Sequence, residues 1–327
     1  MENKGKIVLS GVKPTGKPHI GNYFGAMKQF VDLQGEYDES LFFIADYHAL
    51  NTLHNADEMR RNIFEIALDY LAIGLDPKKV TIFKQSDIPQ HAELAVIFNT
   101  ITTMPYLMRA HAFKDAEAKN KEISVGTFDY PMLMAADILM YDTDAVPVGQ
   151  DQKQHIEIAR DTAEKFNRVF GNTFSIPEPL ILRNVATIPG TDGQKMSKSN
   201  NNTIGLFAED EEIEKAVMSI VTDSKAPDEP KNPEVDNIFA LHKLFSTEQL
   251  ADIEKRYREG GMGYKESKEI LIENVKRFIT PLRKRRGELE KNKDSIIKML
   301  KENGEKMREK AEKKMQSVRN KIGVNLT

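Results

Sequence analysis

The chain has 327 residues and a formal net charge of -3, with 40% hydrophobic and 30% charged residues. That length is enough for about two domains. Cysteine is absent, which excludes disulfides, thiol nucleophiles and cysteine-ligated zinc. No apolar run approaches the ~20 residues of a membrane-spanning helix. We therefore expect a cytoplasmic globular protein that holds no metal of its own.

Four short apolar runs in the first 150 residues are predicted to be strands. They cover residues 6–11, 41–46, 80–83 and 145–148, and residues 58–73 between two of them have apolar positions at helical spacing. Runs that are apolar throughout are typical of a parallel sheet covered on both faces. The pattern predicts an α/β fold of the Rossmann type, with ligands bound beyond the carboxyl ends of the strands.

The rest of the chain has a different character. Residues 187–194 are polar and turn-forming, which predicts a mobile loop, and the chain after residue 205 shows helical patterns alone. From Lys265 to the end, 19 Lys and Arg stand against 10 Asp and Glu. This excess of basic residues is suited to binding a polyanion but is also common on solvent-exposed helices. We predict a nucleotide-binding domain with a helical insertion over 1–205 and a helical domain over 206–327.

Residues 11–22 lead from the first strand into a helix with the sequence GVKPTGKPHIGN. The spacing of Gly11, Gly16 and Lys17 is that of a kinase phosphate-binding loop, but Pro18 stands where that loop needs a hydroxyl for magnesium. Proline also lacks the N–H that such a cradle uses, which argues against a P-loop kinase.

The HIGN string at 19–22 places a histidine, a glycine and an amide at a helix start, which favours a nucleotide phosphate. The glycine would let the nucleotide approach the backbone closely, and His19 could donate to a phosphate oxygen as charge builds on phosphorus. An ordinary glycine-rich turn is the alternative interpretation.

A second candidate, KMSKS at 195–199, lies in the predicted loop. Its two lysines could bring two positive charges to one polyphosphate when a loop made mobile by Gly190 and Gly193 closes. The alternative is a solvated, lysine-rich loop.

HIGN and KMSKS together are similar to the signature of class I aminoacyl-tRNA synthetases. Over nearly its whole length the chain resembles the bacterial tryptophanyl-tRNA synthetases, and further strings support this in family order. They are PTG at 14–16, GNYFGA at 21–26, DYHA at 46–49, YPMLMAADIL at 130–139 and VPVGQDQKQH at 146–155. The resemblance implies that ATP activates tryptophan to tryptophanyl-adenylate, from which the aminoacyl group passes to tRNA(Trp).

The same resemblance implies three groups of site residues. Catalysis would use His19, Lys195 and Lys198. ATP would contact Lys13, Pro14, Thr15, Gly21, Asn22, Gly149, Gln150, Asp151, Ile188, Lys195, Met196, Ser197, Lys198 and Ser199. Tryptophan would contact Asp137, Gln152, Tyr130, Met134 and His48.

Asp137 is the residue expected to determine the specificity for tryptophan. An indole offers one N–H donor and no acceptor, so a buried carboxylate suits it, and an analogue without that donor would leave the charge unpaired. Asp137 lies among apolar residues, where an unpaired carboxylate is costly. The alternative is an aspartate on the helix surface.

The resemblance also implies Mg²⁺ that arrives with ATP, no permanently bound cofactor, a homodimer and no membrane. The helical end would read the anticodon, and residues 283–286 (RKRR) are candidates for phosphate contact. Two other functions stay open. One is a tyrosyl-tRNA synthetase, for which a phenol would need a donor and an acceptor. The other is a non-catalytic RNA-binding paralogue.

Overall fold

The computed structural model describes residues 5–118, 122–149, 152–181 and 188–326, with only the backbone described at residues 111, 112, 115 and 116. These residues form two compact units. The first comprises residues 5–16, 29–181 and 292–326, and the second comprises residues 17–28 and 188–291. The division differs from the predicted single boundary after residue 205, because each unit is assembled from separate segments of the chain.

A parallel sheet forms the centre of the first unit. In the described residues its strands are β1 (Ile7–Val12), β2 (Glu39–Ile44), β3 (Thr81–Lys84), β4 (Ala145–Pro147) and β5 (Glu178–Leu180), in the order β3-β2-β1-β4-β5. The register places Leu9 of β1 opposite Leu41 of β2. The Rossmann-type prediction is confirmed, and β1 to β4 overlap the four predicted runs with their ends shifted by at most two residues. Strand β5 is not predicted from the sequence, since its three residues include Pro179 and show no apolar run.

The helices follow the chain from the end of the first motif to the carboxyl terminus. They are α1 (Ile20–Asn22), α2 (Lys28–Leu33), α3 (Asp46–Ala49), α4 (Ala56–Ala72), α5 (Gln90–Ile101), α6 (Met104–Leu107), α7 (His111–Ala118), α8 (Val125–Leu139), α9 (Lys153–Phe170), α10 (Asp210–Met218), α11 (Asn237–Phe245), α12 (Leu250–Glu259), α13 (Tyr264–Glu290) and α14 (Lys293–Ile322). A π-helical stretch, Tyr23–Met27, separates α1 from α2. Among the described residues, no helix has the length and apolarity needed to cross a membrane.

The last helix, α14, belongs to the first unit. Its apolar residues Met307, Ala311, Met315 and Val318 recur at helical spacing and join the core that also contains Phe98 of α5. Polar contacts add to this packing and include a hydrogen bond from Asn303 to the carbonyl of Ile82 in β3. The predicted helical domain over 206–327 therefore does not hold together as one body, because the stripe on α14 is buried against the sheet unit.

The second unit is built around α10 to α13. Phe24, from the π-helical stretch, packs against Phe245 of α11 and Phe278 of α13 with ring centroids 5.4 and 5.6 Å apart. This aromatic cluster fixes the segment that follows the HIGN string to the helical part of the same unit.

Candidate active site

The HIGN segment forms a closed hydrogen-bonded turn at the start of α1. The backbone N–H of His19 donates to Oδ1 of Asn22 at 3.1 Å, and the N–H of Asn22 donates to Nδ1 of His19 at 3.3 Å. Because Nδ1 accepts this bond, the proton of the neutral imidazole lies on Nε2. Burial and the positive charge of Lys198 lower the pKa of His19 to about 4. The ring is therefore a neutral Nε2–H donor near pH 7.

Gly21 is required by the packing of this turn. A Cβ at position 21 would lie 2.9 Å from Nδ1 of His19 and 3.3 Å from Cβ of Met196. From the sequence, this glycine is predicted to allow the close approach of a nucleotide. The structure shows that two protein side chains already approach it that closely.

The two sequence motifs meet within the second unit. Ile20 N–H donates to the carbonyl of Ile204 at 3.0 Å, and Leu206 N–H donates to the carbonyl of Pro18 at 3.0 Å. Residues 204–206 follow KMSKS closely, so this pairing holds the two motifs side by side. The effect of Lys198 on the pKa of His19 has the same origin.

The KMSKS segment combines a buried methionine with two exposed lysines. Met196 is buried, and its N–H donates to the carbonyl of Ile188 at 3.0 Å. Lys195 and Lys198 are exposed on either side of it. The methionine is thus buried between two exposed lysines, an arrangement suited to an anionic ligand such as a polyphosphate.

The glycines of this loop have a steric function. A Cβ at Gly190 would lie 2.3 Å from Nδ2 of Asn202, and a Cβ at Gly193, whose φ is +81°, would lie 2.6 Å from Nδ2 of Asn237. Both glycines are predicted from the sequence to make the loop mobile. The structure adds that they permit a tightly packed hairpin in which Gly190 N–H donates to the carbonyl of Gln194.

Asp137 is the centre of a buried polar cluster in the first unit. Its side chain is 1% exposed, which excludes the alternative of a surface aspartate. His48 Nε2 lies 2.8 Å from Oδ2, His91 Nδ1 lies 2.8 Å from Oδ1, and Gln85 Nε2 donates to both oxygens at 2.8 and 2.9 Å. Burial would raise the pKa of Asp137, but the hydrogen bonds from the two histidines outweigh it and hold the pKa below its usual value.

The cluster lies where the sequence predicted a ligand site. His48 follows β2 and Gln85 follows β3, so both come from the carboxyl edge of the sheet. Asp137 reaches them from α8, where Tyr130 and Met134 precede it at helical spacing.

Tyr130 joins the same cluster. Its ring centroid lies 6.2 Å from that of His48, and its hydroxyl lies 2.7 Å from Nε2 of His155. The ammonium of Lys13 lies 5.6 Å from the Tyr130 centroid, and desolvation lowers its pKa. Three of the five predicted tryptophan contacts, Asp137, His48 and Tyr130, thus form one connected group that Lys13 adjoins.

The positions of several other predicted site residues are as follows. Met134 packs against the core of the first unit, and Gln152 precedes α9. Pro14 is buried, while Thr15 is exposed after the end of β1. Gly149 follows β4, and Ile188 is buried in the second unit. Gln150 and Asp151 lie outside the described residues.

His91 and Tyr141 were missed by the sequence analysis. His91 is fully buried, and its Nε2 lies 2.6 Å from the hydroxyl of Tyr141. Its Nδ1 lies 2.8 Å from Oδ1 of Asp137, so the His91 ring connects Asp137 with Tyr141. A buried carboxylate requires polar partners, so the sequence indicates that such residues exist. It does not indicate which residues they are.

Comparisons with known proteins agree with this geometry. The model of the family described as tRNA synthetases class I (W and Y) matches residues 1–280. The tryptophan–tRNA ligase of Fusobacterium nucleatum is 48% identical over 321 residues, covering 98% of each chain. That of Rhodopirellula baltica is 47% identical and covers 97% of this chain and 99% of its own.

A solved structure is similar over the same extent. The tryptophanyl-tRNA synthetase of Campylobacter jejuni, complexed with ADP and tryptophan, has a TM-score of 0.88 and 43% identity, covering 97% of this chain and 99% of its own. With the family model covering most of the chain and both motifs adjacent in one unit, this chain belongs to the class I tRNA synthetases of the tryptophan and tyrosine family.

Proposed function

We infer that this chain is a tryptophan–tRNA ligase, which uses ATP to activate L-tryptophan and transfers the aminoacyl group to tRNA(Trp). The observation that carries the inference is the meeting of His19 with the KMSKS residues in one unit. The choice of amino acid is supported by the buried Asp137 cluster and by full-length relatives that are named as tryptophan–tRNA ligases.

The chemistry needs no protein nucleophile. The carboxylate of tryptophan forms a bond to the α-phosphorus of ATP, and the bond from that phosphorus to the bridging oxygen breaks, which releases pyrophosphate. A ribose hydroxyl of the tRNA then attacks the carbonyl carbon of the adenylate and AMP leaves. Catalysis therefore consists of positioning and of stabilising negative charge.

We assign three residues to that charge stabilisation. The exposed ammonium groups of Lys195 and Lys198 would neutralise charge on the transferring and leaving phosphates. His19, neutral and protonated on Nε2, would donate a hydrogen bond without adding a charge. ATP would enter with Mg²⁺ bound to its phosphate oxygens and to water.

The remaining ATP contacts are proposed from the resemblance. They are Lys13, Pro14, Thr15, Gly21, Asn22, Gly149, Gln150, Asp151, Ile188, Met196, Ser197 and Ser199.

For tryptophan, we propose that Asp137 accepts the indole N–H. The lowered pKa keeps Asp137 ionised, and an ionised carboxylate only accepts hydrogen bonds, which suits a ligand group that only donates. His48, Tyr130, Met134 and Gln152 complete the proposed contacts, with Gln152 assigned to the amino group.

For tRNA, we propose that the anticodon is read by the helices of the second unit, because α14 is committed to the core of the first. Within the basic RKRR stretch, Arg283 is already bonded to the carbonyl of Ala208 and to Asp210, and Arg286 lies over the ring of Phe207. Lys284 and Arg285 are exposed and are the better candidates for phosphate contact.

We further propose a cytoplasmic homodimer. Large apolar side chains are exposed on α5, α6 and α8, of which α8 contacts both other helices: Val96, Met104, Val125 and, directly after α6, Met108. We propose that they contribute to one apolar patch, as is typical of an interface, and that a second copy of the chain covers it.

The decisive experiment is amino-acid-dependent exchange of labelled pyrophosphate into ATP. We expect exchange with tryptophan and none with tyrosine. Exchange with tyrosine alone would make the chain a tyrosyl-tRNA synthetase, and exchange with neither would favour a non-catalytic paralogue.

A further inference from the structure

We propose that Asn202 is a positioning residue for amino-acid activation, which fixes the KMSKS loop so that Lys195 and Lys198 meet the phosphates of ATP. Its side chain is 1% exposed and lies inside the hairpin. The inference rests on the proposed function, since the lysines matter only where a polyphosphate reacts.

Asn202 contacts the motif on both sides of Met196. Its Oδ1 accepts a hydrogen bond from the N–H of Ser197 at 2.7 Å, and its Nδ2 donates to the carbonyl of Lys195 at 3.2 Å. The same Nδ2 donates to Oδ1 of Asp192 at 2.7 Å. One amide group therefore holds the motif backbone to the opposite arm of the hairpin.

The backbone of Asn202 extends this connection. Its carbonyl accepts from the N–H of Thr191 at 3.0 Å, and the missing Cβ of Gly190 makes room for its amide. Two residues later the chain pairs with the segment that contains His19. Asn202 thus stands between the lysines and the histidine and sets their relative orientation.

Asparagine is chemically suited to this position. The arrangement requires two N–H donors and one acceptor in a single planar group, which only an amide supplies. Aspartate would keep the bond from Ser197 but would face the carboxylate of Asp192 without a donor. Alanine would leave the N–H of Ser197 and the carbonyl of Lys195 without their partner, and unpaired buried groups favour rearrangement of the loop.

The test begins with Asn202→Ala. We expect the turnover rate of tryptophan-dependent pyrophosphate exchange to fall by about 10- to 100-fold, because small misplacements of charged groups are costly to catalysis. The dissociation constant of tryptophan should stay unchanged, because the Asp137 cluster lies in the other unit. That constant can be read from ligand fluorescence, since the chain contains no tryptophan of its own.

A reciprocal pair separates positioning from general destabilisation. Asn202→Asp alone should impair exchange strongly, and adding Asp192→Asn should restore part of the rate, because an amide at 192 can donate to a carboxylate at 202. Asn200→Ala, at an exposed asparagine of the same loop, is the control and should exchange at the normal rate.

The variant Lys195→Ala tests the proposed function separately from the role of Asn202. If Lys195→Ala abolishes exchange while Asn202→Ala exchanges normally, the role of Asn202 is wrong and the proposed function stands. If Lys195→Ala exchanges normally, the proposed role of the loop itself fails. Loss of tryptophan affinity in Asn202→Ala, or absence of rescue by Asp192→Asn, would also overturn the positioning role.

Discussion

At the residue scale, Asp137 shows how a buried charge is kept in its ionised form. His48 and Gln85 direct hydrogen-bond donors at its two oxygens, and His91 contacts Oδ1 through Nδ1 while its Nε2 lies 2.6 Å from the hydroxyl of Tyr141. The carboxylate is therefore oriented before any ligand arrives, and an incoming N–H meets a fixed acceptor.

We predict that Asp137→Asn weakens tryptophan binding by about 10- to 100-fold, because a hydrogen bond to a charged partner contributes about 1.5–3 kcal/mol. ATP affinity should hardly change. Ligand fluorescence gives the tryptophan constant, and equilibrium dialysis gives the ATP constant. Asp129→Asn, on the same helix and bonded to Asn99, should bind tryptophan normally. Equal affinity in Asp137→Asn and the unaltered chain would remove Asp137 from the recognition of indole.

At the element scale, the helices of the second unit are joined by a buried polar network. His242 of α11 has Nδ1 2.7 Å from the hydroxyl of Ser246 and Nε2 3.0 Å from that of Ser267 on α13. The hydroxyl of Tyr257 on α12 lies 2.7 Å from the same Ser267 oxygen. Three helices thus depend on one neutral imidazole, and burial lowers the pKa of His242 to about 4.

This network makes the stability of the second unit depend on pH. An unfolded histidine titrates near 6.5, so between about pH 6.5 and 4 the unfolded chain binds the additional proton. The free energy of unfolding should therefore fall as the pH falls through this range, by up to about 1.4 kcal/mol per pH unit for this group. Urea unfolding at pH 7, 6 and 5 measures the slope.

The variant His242→Gln should reduce the dependence of the free energy of unfolding on pH. Part of the dependence should remain, because the pKa of His19 is also lowered. His54→Gln, at an exposed histidine of the first unit, serves as the control and should keep the slope of the unaltered chain. A slope unchanged by His242→Gln would show that the network does not control this pH dependence.

At the scale of the whole molecule, the carboxyl-terminal helix completes the sheet unit. Met315 of α14 is fully buried in the core of the first unit. We predict that Met315→Ala lowers the free energy of unfolding by about 2–5 kcal/mol, the usual cost of removing a buried methionine side chain. Denaturant unfolding measures this cost.

The exposed Lys313 on the same helix supplies the matched control, and Lys313→Ala should change the stability by no more than about 0.5 kcal/mol. A Met315→Ala protein as stable as the Lys313→Ala protein would contradict the assignment of α14 to the core.

The sequence by itself determined the features that depend on local spacing. Four strands and the parallel sheet followed from apolar runs, because a strand buried on both faces is apolar at most of its positions. The HIGN and KMSKS residues and Asp137 were identified because each lies in a short segment whose residue types indicate its function.

The tertiary structure alone decided which distant groups become partners. It placed α14 in the first unit, gave Asp137 its contacts with His91 and Gln85, and gave the loop glycines a steric function. These contacts join residues far apart in the chain, and their energies depend on shape and burial that form only on folding. A local pattern can predict that a buried carboxylate needs donors or that an apolar stripe needs a cover, but three-dimensional packing selects which residues supply them.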